Sequence, residues 1–548
     1  MSNGRIAAFG LKNLRGRRTI DATGKWVVPG MFEAHYHAGG THLSPARLAE
    51  ELLRRGTTSS VCDFQEFYVV GGIGAARSAV EASWAAGLKL YYLLPTQHFV
   101  INGLAHEARQ MPIGDMIAML DWPETVGINE PPPGPVLNND SDIATVIDAT
   151  LERGKIFTGH APEMTGAELQ AYASTRASSD HESRAAAEAW EKISLGMRAM
   201  MRHGSAAPDM MRLIELARDH PLASRYMMLV SDEIDPNDLI DVGHLDAKVR
   251  LAIEQGVDPV IAFQMVTINP AEYYRIDHEI GSLAPGRNGD AVILDDLEQV
   301  TVSMVIANGR VVPSERQERA ATADARLSHP LRPSRPLTAD DFAVPAPGSV
   351  AHVRAIEIEE GSLISQEIVA EVPVVAGNAK PDPNADILKL AVIERFEMPA
   401  HRSIGFTRGF GIKAGAVATT YMHSFYNLLV VGTDEELMAR AAAAVVDIGG
   451  GVAVVGGDGE VLHTWALPLV GIFSDESAEQ VRQDFNRTNE AIRSIGCELA
   501  SPLLALSFVS LATIPHLGMT HAGLYDVNEQ AYLDVLVDRS DPAADARS

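Results

Sequence analysis

Two histidines separated by a single residue, His35 and His37, follow an apolar run that begins at Val28. If this run is a β-strand, alternate side chains share a face, so the two imidazoles point the same way. Two neutral imidazoles at a strand end can bind a metal ion when further ligands converge on them. A polar strand end whose histidines contact only water explains an isolated pair equally well. The pair predicts a metal site only if the rest of the chain supplies more ligands.

Composition limits which ligands those can be. The 548 residues include only two cysteines, Cys62 and Cys497, so neither a disulfide framework nor a cysteine-based zinc site is expected. Any metal has to bind histidine, aspartate or glutamate. A formal net charge of -27 argues against nucleic acid or a membrane as a partner and favours small-molecule chemistry. The first residues lack the apolar segment of a signal peptide, and no apolar run reaches the ~18 residues of a membrane span, so we expect a cytoplasmic protein.

Strands and helices alternate along the first half of the chain, and these elements have to position the histidines. Ser44 can cap a helix that has Pro45 in its first turn and runs to Arg55. The following pattern predicts strands near 57–63, 88–94, 125–128 and 155–158, with helices near 74–86, 112–120 and 141–153. This spacing indicates parallel βα units, and their number favours a closed (β/α)8 barrel over a short open sheet.

In such barrels the chemistry gathers at the carboxyl ends of the strands. Polar side chains recur just after the predicted strands, namely His35, His37, Asp63, Glu66, Glu130, His160, His181 and Asp232. Each alone has a structural explanation, such as a helix cap or a surface charge. Because they recur at the same position in successive βα units, directly after the strand, they favour one shared site. Four histidines and two carboxylates suffice for two metal ions that share a bridging ligand.

Longer motifs surround these residues. They include Pro-Gly-x-x-x-x-His-x-His at 29–37, Gly-His-Ala-Pro at 159–162, Ser-Ser-Asp-His-Glu at 178–182, Arg-His-Gly-Ser-Ala-Ala at 202–207 and Thr-Ile-Asn-Pro-Ala-Glu-Tyr at 267–273. Together they resemble the amidohydrolase superfamily and, within it, the bacterial adenine deaminases. Further similarity at 281–290, 405–411 and 523–527 extends the resemblance over nearly the whole chain.

The resemblance implies an α/β fold made of a (β/α)8 TIM-like barrel, a small β-sandwich domain formed by flanking segments, and a C-terminal α+β domain. Residues 1–28 and 281–313 would form the small β domain and residues 29–280 the barrel. Residues 314–348 would be a linker, and residues 349–548 the C-terminal domain. The segment before the barrel is shorter than is usual in the family, so we expect either an exposed sheet edge or a start further upstream.

The resemblance also implies a binuclear metal centre. Its ligands would be His35 and His37 on the more buried metal, Glu130 as the bridge, His160 and His181 on the second metal, and Asp232 as ligand and proton shuttle. The family points to two divalent ions, Mn or Fe, and Zn is chemically possible with these ligands.

The implied activity is the hydrolysis of adenine to hypoxanthine and ammonia, as in purine salvage and adenine catabolism. A hydroxide that bridges the two metals would attack C6 of the purine, with Glu130 and Asp232 as the catalytic carboxylates. The chain would then be a hydrolase of carbon–nitrogen bonds in cyclic amidines. Its partner would be a small purine base, with no nucleic acid or membrane, and it would form a homo-oligomer.

The motifs depart from the family around the expected substrate pocket. The family's Asp-Pro-His-Glu is Asp-Phe-Gln-Glu at 63–66, the glutamate expected after His-x-His-x is Gly39, and His-Asp-Ser-His-Asn is His-Ser-Phe-Tyr-Asn at 423–427. The metal ligands are all present. The departures therefore predict retained hydrolytic chemistry with altered substrate recognition. The predicted substrate contacts are Glu66, Gln65, Glu182 and His423.

Three interpretations remain open. The first is a binuclear adenine deaminase, with adenine as the leading substrate. The second is a related amidohydrolase that acts on another aminopurine or a cyclic amide. The third is a catalytically silent binding protein on the same scaffold. The complete ligand set argues against the third, because clustered carboxylates without an ion repel one another with no compensation.

Overall fold

The computed structural model describes residues 1–11, 16–96, 111–316, 325–359, 364–423, 425–513 and 516–537. The strands of the first half are β1 (Trp26–Pro29), β2 (Met31–Glu33), β3 (Tyr36–His37), β4 (Thr57–Cys62), β5 (Lys89–Pro95), β6 (Thr125–Asn129), β7 (Ile156–Phe157), β8 (Ser179–Asp180), β9 (Arg198–Arg202), β10 (Met227–Val230) and β11 (Asp232–Glu233). Among these, β2 and β4 to β10 run parallel as the eight strands of a barrel.

The barrel closes between its first and last strands. Strands β2-β4-β5-β6-β7 are hydrogen-bonded in that order, and β8-β9-β10 form a second group. The Ser178 N–H donates to the Phe157 carbonyl at 3.0 Å and joins the two groups. Beyond β2 and β10 the chain continues as β3 and β11, which pair in parallel with Asp232 opposite Tyr36. The predicted barrel is confirmed, and its seam lies at the His-x-His segment.

The outer layer consists of helices α1 (Pro45–Arg54), α2 (Gln65–Ala85), α3 (Ile113–Leu120), α4 (Pro133–Leu137), α5 (Ser141–Glu152), α6 (Gly166–Ser174), α7 (Ala186–Ser194), α8 (Met210–Leu213), α9 (Glu215–Asp219), α10 (Leu245–Glu254), α11 (Pro259–Gln264) and α12 (Ile268–Tyr273). The Ser44 hydroxyl caps α1 by accepting the Arg47 N–H, as the sequence predicts. The helix expected from residue 74 begins nine residues earlier, at Gln65, and is interrupted at Gly72, where φ is +71°. Its first turn stacks Phe67 on Phe473 of the C-terminal domain at 4.8 Å, a contact that local sequence does not reveal.

A small antiparallel sheet flanks the barrel. Its order is β1-β12-β13-β14, with β12 (Ala291–Leu294), β13 (Val302–Ala307) and β14 (Arg310–Val311) returning after the barrel to pair with β1. Trp26 lies opposite Leu294 in this pairing. In the described ranges β1 is an edge strand, and the Trp26 side chain is about half exposed.

The C-terminal domain is built on one large sheet. Its strands are β15 (Val350–Glu357), β16 (Gln366–Val375), β17 (Asn378–Ala379), β18 (Leu388–Ile393), β19 (Arg402–Arg408), β20 (Gly415–Thr419), β21 (Leu428–Gly432), β22 (Gly451–Gly456) and β23 (Val461–Ala466), in the order β17-β16-β15-β19-β18-β21-β20-β22-β23. Helices α13 (Glu435–Asp447), α14 (Ala478–Ser494) and α15 (Pro502–Phe508) and the sheet of β24 (Leu517–Thr520), β25 (Gly523–Asp526) and β26 (Ala531–Leu533) complete it.

The two faces of the large sheet bury different partners, because alternate side chains of a strand point to opposite faces. Ala391 and Ile393 of β18 pack with Met438 of α13. Leu390 and Val392 belong to the main core, which is continuous with the barrel. The described part of the predicted linker, 325–348, also places Leu331, Leu337 and Phe342 in the α13 core. Across the described residues, none of the helices combines the length and hydrophobicity needed to cross a bilayer.

Candidate metal centre

Glu130 occupies the middle of a cluster of histidines at the carboxyl end of the barrel. Its Oε1 lies 3.1 Å from His37 Nε2, and its Oε2 lies 3.1 Å from His181 Nε2. The same Oε2 is 3.6 Å from His160 Nδ1 and 3.9 Å from His35 Nε2. The two oxygens of this one carboxylate therefore lie next to different histidines.

Asp232 approaches the same cluster from the seam of the barrel. Its Oδ1 lies 3.6 Å from His35 Nε2 and 3.7 Å from His37 Nε2. Three overlapping groups have ligand atoms within 4.8 Å of one another, namely His35–His181–Asp232, His35–His37–Glu130 and Glu130–His160–His181. The structure thus brings together all six residues that the sequence proposes as metal ligands.

The backbone is strained at Glu130 and at Asp232. Glu130 has a φ of +33° and Asp232 a φ of +58°, and neither is a glycine. Such conformations cost about 1–3 kcal/mol each and persist only where the surroundings enforce them. The Glu130 N–H donates to Thr158 Oγ1 at 2.8 Å, and the Asp232 N–H donates to the His35 carbonyl at 3.1 Å. Both side chains leave the strand direction at these kinks and enter the barrel mouth.

The charges of the cluster are strongly coupled. Although burial raises the pKa of the Glu130 carboxyl, the charge of the nearby His37 and the close approach of His160 and His181 hold it well below its ordinary value. Burial lowers the pKa of His181, but its hydrogen bonds to Glu130 and Glu182 raise it to about 10. A cation that binds here has to displace protons from these rings, so its affinity depends on pH.

Several buried ring nitrogens indicate that the donor set fits metal ions. His35 Nε2 and both ring nitrogens of His160 have no hydrogen-bond partner among the described residues. Buried polar atoms without partners are costly, and a divalent ion would supply the partner. Imidazole and carboxylate ligands suit Mn, Fe and Zn.

An arginine that the sequence reasoning missed supports the cluster. Arg202, at the end of β9, donates from Nη1 to Glu182 Oε1 at 2.6 Å and to Asp232 Oδ2 at 3.1 Å, and from Nε to Asp209 Oδ2 at 3.0 Å. Burial raises the pKa of Asp232, but the close approach of His35 and the charge of Arg202 keep it below its ordinary value. The position of Arg202 at the end of a strand, like that of the histidines and carboxylates, was the signal in the sequence.

The four predicted substrate contacts all border one pocket, but Glu182 differs from the other three in its ion pairs. Glu66, Gln65 and His423 line the pocket beside the metal cluster, together with Phe508 and Thr513 of the C-terminal domain. Glu182 also borders the pocket, but its Oε1 is already shared between Arg202 at 2.6 Å and His181 at 3.2 Å.

The departures from the family motifs lie in the same place. Gln65 Nε2 donates to the Tyr426 hydroxyl at 2.7 Å, which joins two of the altered positions across the domain boundary. Gly39 lies directly against Glu66. Ser424, the other altered position in its motif, is outside the described residues.

A second residue that sequence reasoning missed is Glu233. It follows Asp232, lines the pocket, and has its Oε1 3.5 Å from His423 Nδ1. Burial raises the pKa of Glu233 well above its ordinary value, although His37 opposes this shift. Burial and the charge of Asp63 likewise raise the pKa of Glu66 to about 7.

Comparisons with known proteins identify relatives of this chain. The model of the amidohydrolase family matches residues 26–312, and that of the adenine deaminase C-terminal domain matches residues 362–531. An adenine deaminase of Clostridium botulinum (strain Langeland) is 34% identical over 98% of this chain and 91% of its own length. An adenine deaminase of Moorella thermoacetica is 35% identical over 98% of this chain and 92% of its own length. A zinc-bound adenosine deaminase structure from Xanthomonas campestris has a TM-score of 0.43 at 15% identity, covering 59% of this chain and 90% of that one.

Proposed function

Because this chain belongs to the adenine deaminase family of the amidohydrolases, we propose that it catalyses the hydrolysis of adenine to hypoxanthine and ammonia. The observation that carries the proposal is the convergence of four histidines and two carboxylates on one barrel mouth. A hydrolase of this family requires such a set, and a silent binding protein would have no use for it.

The distances support the ligand assignment that the family resemblance implies. His35 and His37 would hold one divalent ion, His160 and His181 the other, and Glu130 would bridge them, with Asp232 as a further ligand. Mn or Fe are the proposed ions, and Zn is the alternative. Ions bound there would lower the pKa of a water molecule, so that hydroxide is available near neutral pH.

Asp232 is the proposed proton carrier. Its Oδ2 accepts from Arg202, which leaves Oδ1 facing His35 and His37. The carboxylate takes a proton from the attacking water and delivers it to the amine that leaves C6 of the purine. One water is consumed and one ammonia is released, with no change of oxidation state. Arg202 acts through Asp232 and Glu182 and is therefore a positioning residue.

Glu66, Gln65 and His423 are the proposed substrate contacts, and Glu182 contributes through Arg202. A second candidate function is the deamination of another aminopurine or hydrolysis of a cyclic amide. The hydrogen bond between Gln65 and Tyr426 favours it, because both residues depart from the family motifs in the pocket wall.

The cellular setting is part of the same proposal. We place the reaction in purine salvage and adenine catabolism in the cytoplasm, on a small free base, in a homo-oligomeric enzyme. Nucleic acid and membranes have no part in it, in keeping with the net charge of -27.

Metal analysis followed by substrate profiling tests the function. The purified protein is loaded with Mn or Fe, its metal content is measured, and ammonia release is followed with adenine, other aminopurines and cyclic amides. We expect about two ions per chain and the highest kcat/KM with adenine. Turnover confined to the other compounds would favour the second candidate, and neither metal nor turnover would remove both.

A further inference from the structure

Two neighbouring glycines in the turn after His37 are each pressed against a glutamate. A Cβ atom on Gly39 would lie 2.6 Å from Glu66 Oε1, and one on Gly40 would lie 2.9 Å from Glu233 Oε2. Neither glycine has a positive φ, so the backbone conformation does not demand glycine at either position. Glycine is needed there because the two carboxyl groups approach the turn so closely.

The two carboxyl groups come from opposite sides of the barrel seam and both border the substrate pocket. Glu66 lies in the first turn of α2, and Glu233 ends β11. Each side chain is about 95% buried. Within the described chain, Oε2 of each glutamate has no hydrogen-bond partner. A buried carboxyl oxygen without a partner is costly. Two of them beside one pocket indicate that a ligand completes their hydrogen bonding.

The C-terminal domain fixes the orientation of Glu233. His423 Nδ1 lies 3.5 Å from Glu233 Oε1, and the His423 ring stacks on Phe508 with centroids 4.4 Å apart. The other oxygen of Glu233 is the one that faces Gly40. One oxygen therefore lies beside an imidazole of the neighbouring domain, and the second has no hydrogen-bond partner among the described residues.

We propose that Glu233 is a specificity-determining residue whose Oε2, together with Oε2 of Glu66, binds the nitrogen-bearing edge of a heterocyclic base. A carboxyl group pairs with ring nitrogens and N–H groups, such as the exocyclic amine of adenine or the N1–H of hypoxanthine. Gly39 and Gly40 are required because any side chain there would displace the two carboxyl groups. The proposal rests on the proposed function for the identity of the base.

Substitutions at the two glycines test the proposal without removing a polar atom from the pocket. The variants are Glu233→Gln, which keeps the size of the side chain, and Gly39→Ala and Gly40→Ala, which push on the carboxyl groups. Gly74→Ala is the matched control, because a Cβ there meets nothing within 4 Å and its φ is not positive. For each Mn-loaded protein we would measure the metal content, the Kd of hypoxanthine by calorimetry, and kcat and KM for adenine.

We expect the three pocket variants to keep the metal content of the wild type while the Kd of hypoxanthine rises by about tenfold or more, since each loses or misplaces a hydrogen bond to a buried carboxyl group. Gly74→Ala should bind as the wild type does. An unchanged Kd in Glu233→Gln would overturn the proposal. So would a loss of affinity that follows a loss of metal, because Glu233 would then only support the metal site.

Failure of the proposed function gives a different result. A wild-type protein that binds hypoxanthine but releases no ammonia from adenine would remove the deaminase activity and leave the role of Glu233 intact. A wild type that deaminates adenine while Glu233→Gln binds hypoxanthine normally would remove the role of Glu233 alone.

Discussion

At the scale of single residues, the chemistry concentrates on two carboxylates with unusual backbones. Glu130 and Asp232 both have positive φ values, and both contact more than one histidine. Strain of this kind is retained where it serves a site. Here it turns both side chains into the barrel mouth, where they face the same histidines from two directions.

Asp232→Asn should keep the metal ions but lower kcat by about 10²–10⁴-fold, because an amide cannot carry the proton from water to the leaving amine. Metal analysis and steady-state kinetics with adenine check this. Asp340→Asn is the control, since Asp340 is exposed and far along the chain in the predicted linker. Activity close to that of the wild type would exclude the proton-carrier role.

Glu130→Gln should reduce the occupancy of at least one metal ion. The amide replaces one of the two oxygens that face His37 and His181 with a group that does not bind a cation. Metal content after dialysis against a low concentration of chelator is the measurement. Two fully retained ions would show that Glu130 does not bridge them.

At the scale of elements, one buried glutamate joins the first and last strands of the barrel. Glu33 Oε1 accepts the His35 N–H at 3.1 Å, and its Oε2 accepts the Ser231 N–H at 3.1 Å and the Ser231 hydroxyl at 2.7 Å. His244 Nε2 lies 3.3 Å from the same oxygen. These bonds fix the backbone on both sides of the seam, one residue before Asp232 and at His35.

Glu33→Gln should therefore lower the free energy of unfolding by about 1–3 kcal/mol, because the amide nitrogen would face a buried N–H that has lost its acceptor. Metal affinity should fall with it, since His35 and Asp232 lose their common support. Urea unfolding and metal titration test both effects. Glu254→Gln on the exposed end of α10 is the control. Unfolding of Glu33→Gln at the same urea concentration as wild type would contradict this account.

At the scale of the whole molecule, the pocket lies between the barrel and the C-terminal domain. His423, Phe508 and Thr513 line it from the C-terminal side, and the stacked rings of Phe67 and Phe473 join the same two parts. The main hydrophobic core is continuous across this boundary. Events at the metal site therefore affect the stability of the whole chain.

Metal loading should raise the Tm, and the increase should grow with pH. The pKa of His181 is raised to about 10, above the ordinary value near 6.5. Without metal, its ion pairs stabilise the fold fully below about pH 6.5 and are lost as the pH rises towards 10. Metal binding needs the neutral ring, so its contribution changes in the opposite direction. A hundredfold excess of metal over Kd adds about 2.7 kcal/mol.

Thermal unfolding with and without chelator, at about pH 6 and about pH 9, separates the contribution of the His181 ion pairs to stability from that of metal binding. The protein without metal should have a lower Tm at the higher pH. The difference between its Tm and that of the metal-loaded protein should therefore be larger at the higher pH. A difference in Tm that is independent of pH would mean that no ring nitrogen is deprotonated on metal binding.

The alternation of elements in the sequence predicted the barrel, and its motifs, through their resemblance to the amidohydrolases, predicted the six proposed ligands. Both depend on local signals, because the alternation of strands and helices and the placement of a polar residue after each strand are visible within short windows. Which side-chain atoms come into contact depends on the tertiary structure. Glu233 with His423, Gln65 with Tyr426, and Arg202 with both Glu182 and Asp232 join residues that are 20 or more positions apart, up to 361. Such contacts depend on how the barrel closes and how the second domain docks. No local pattern of residue types encodes either, so the pairing of side chains within the pocket could not be predicted, although four residues of its lining were.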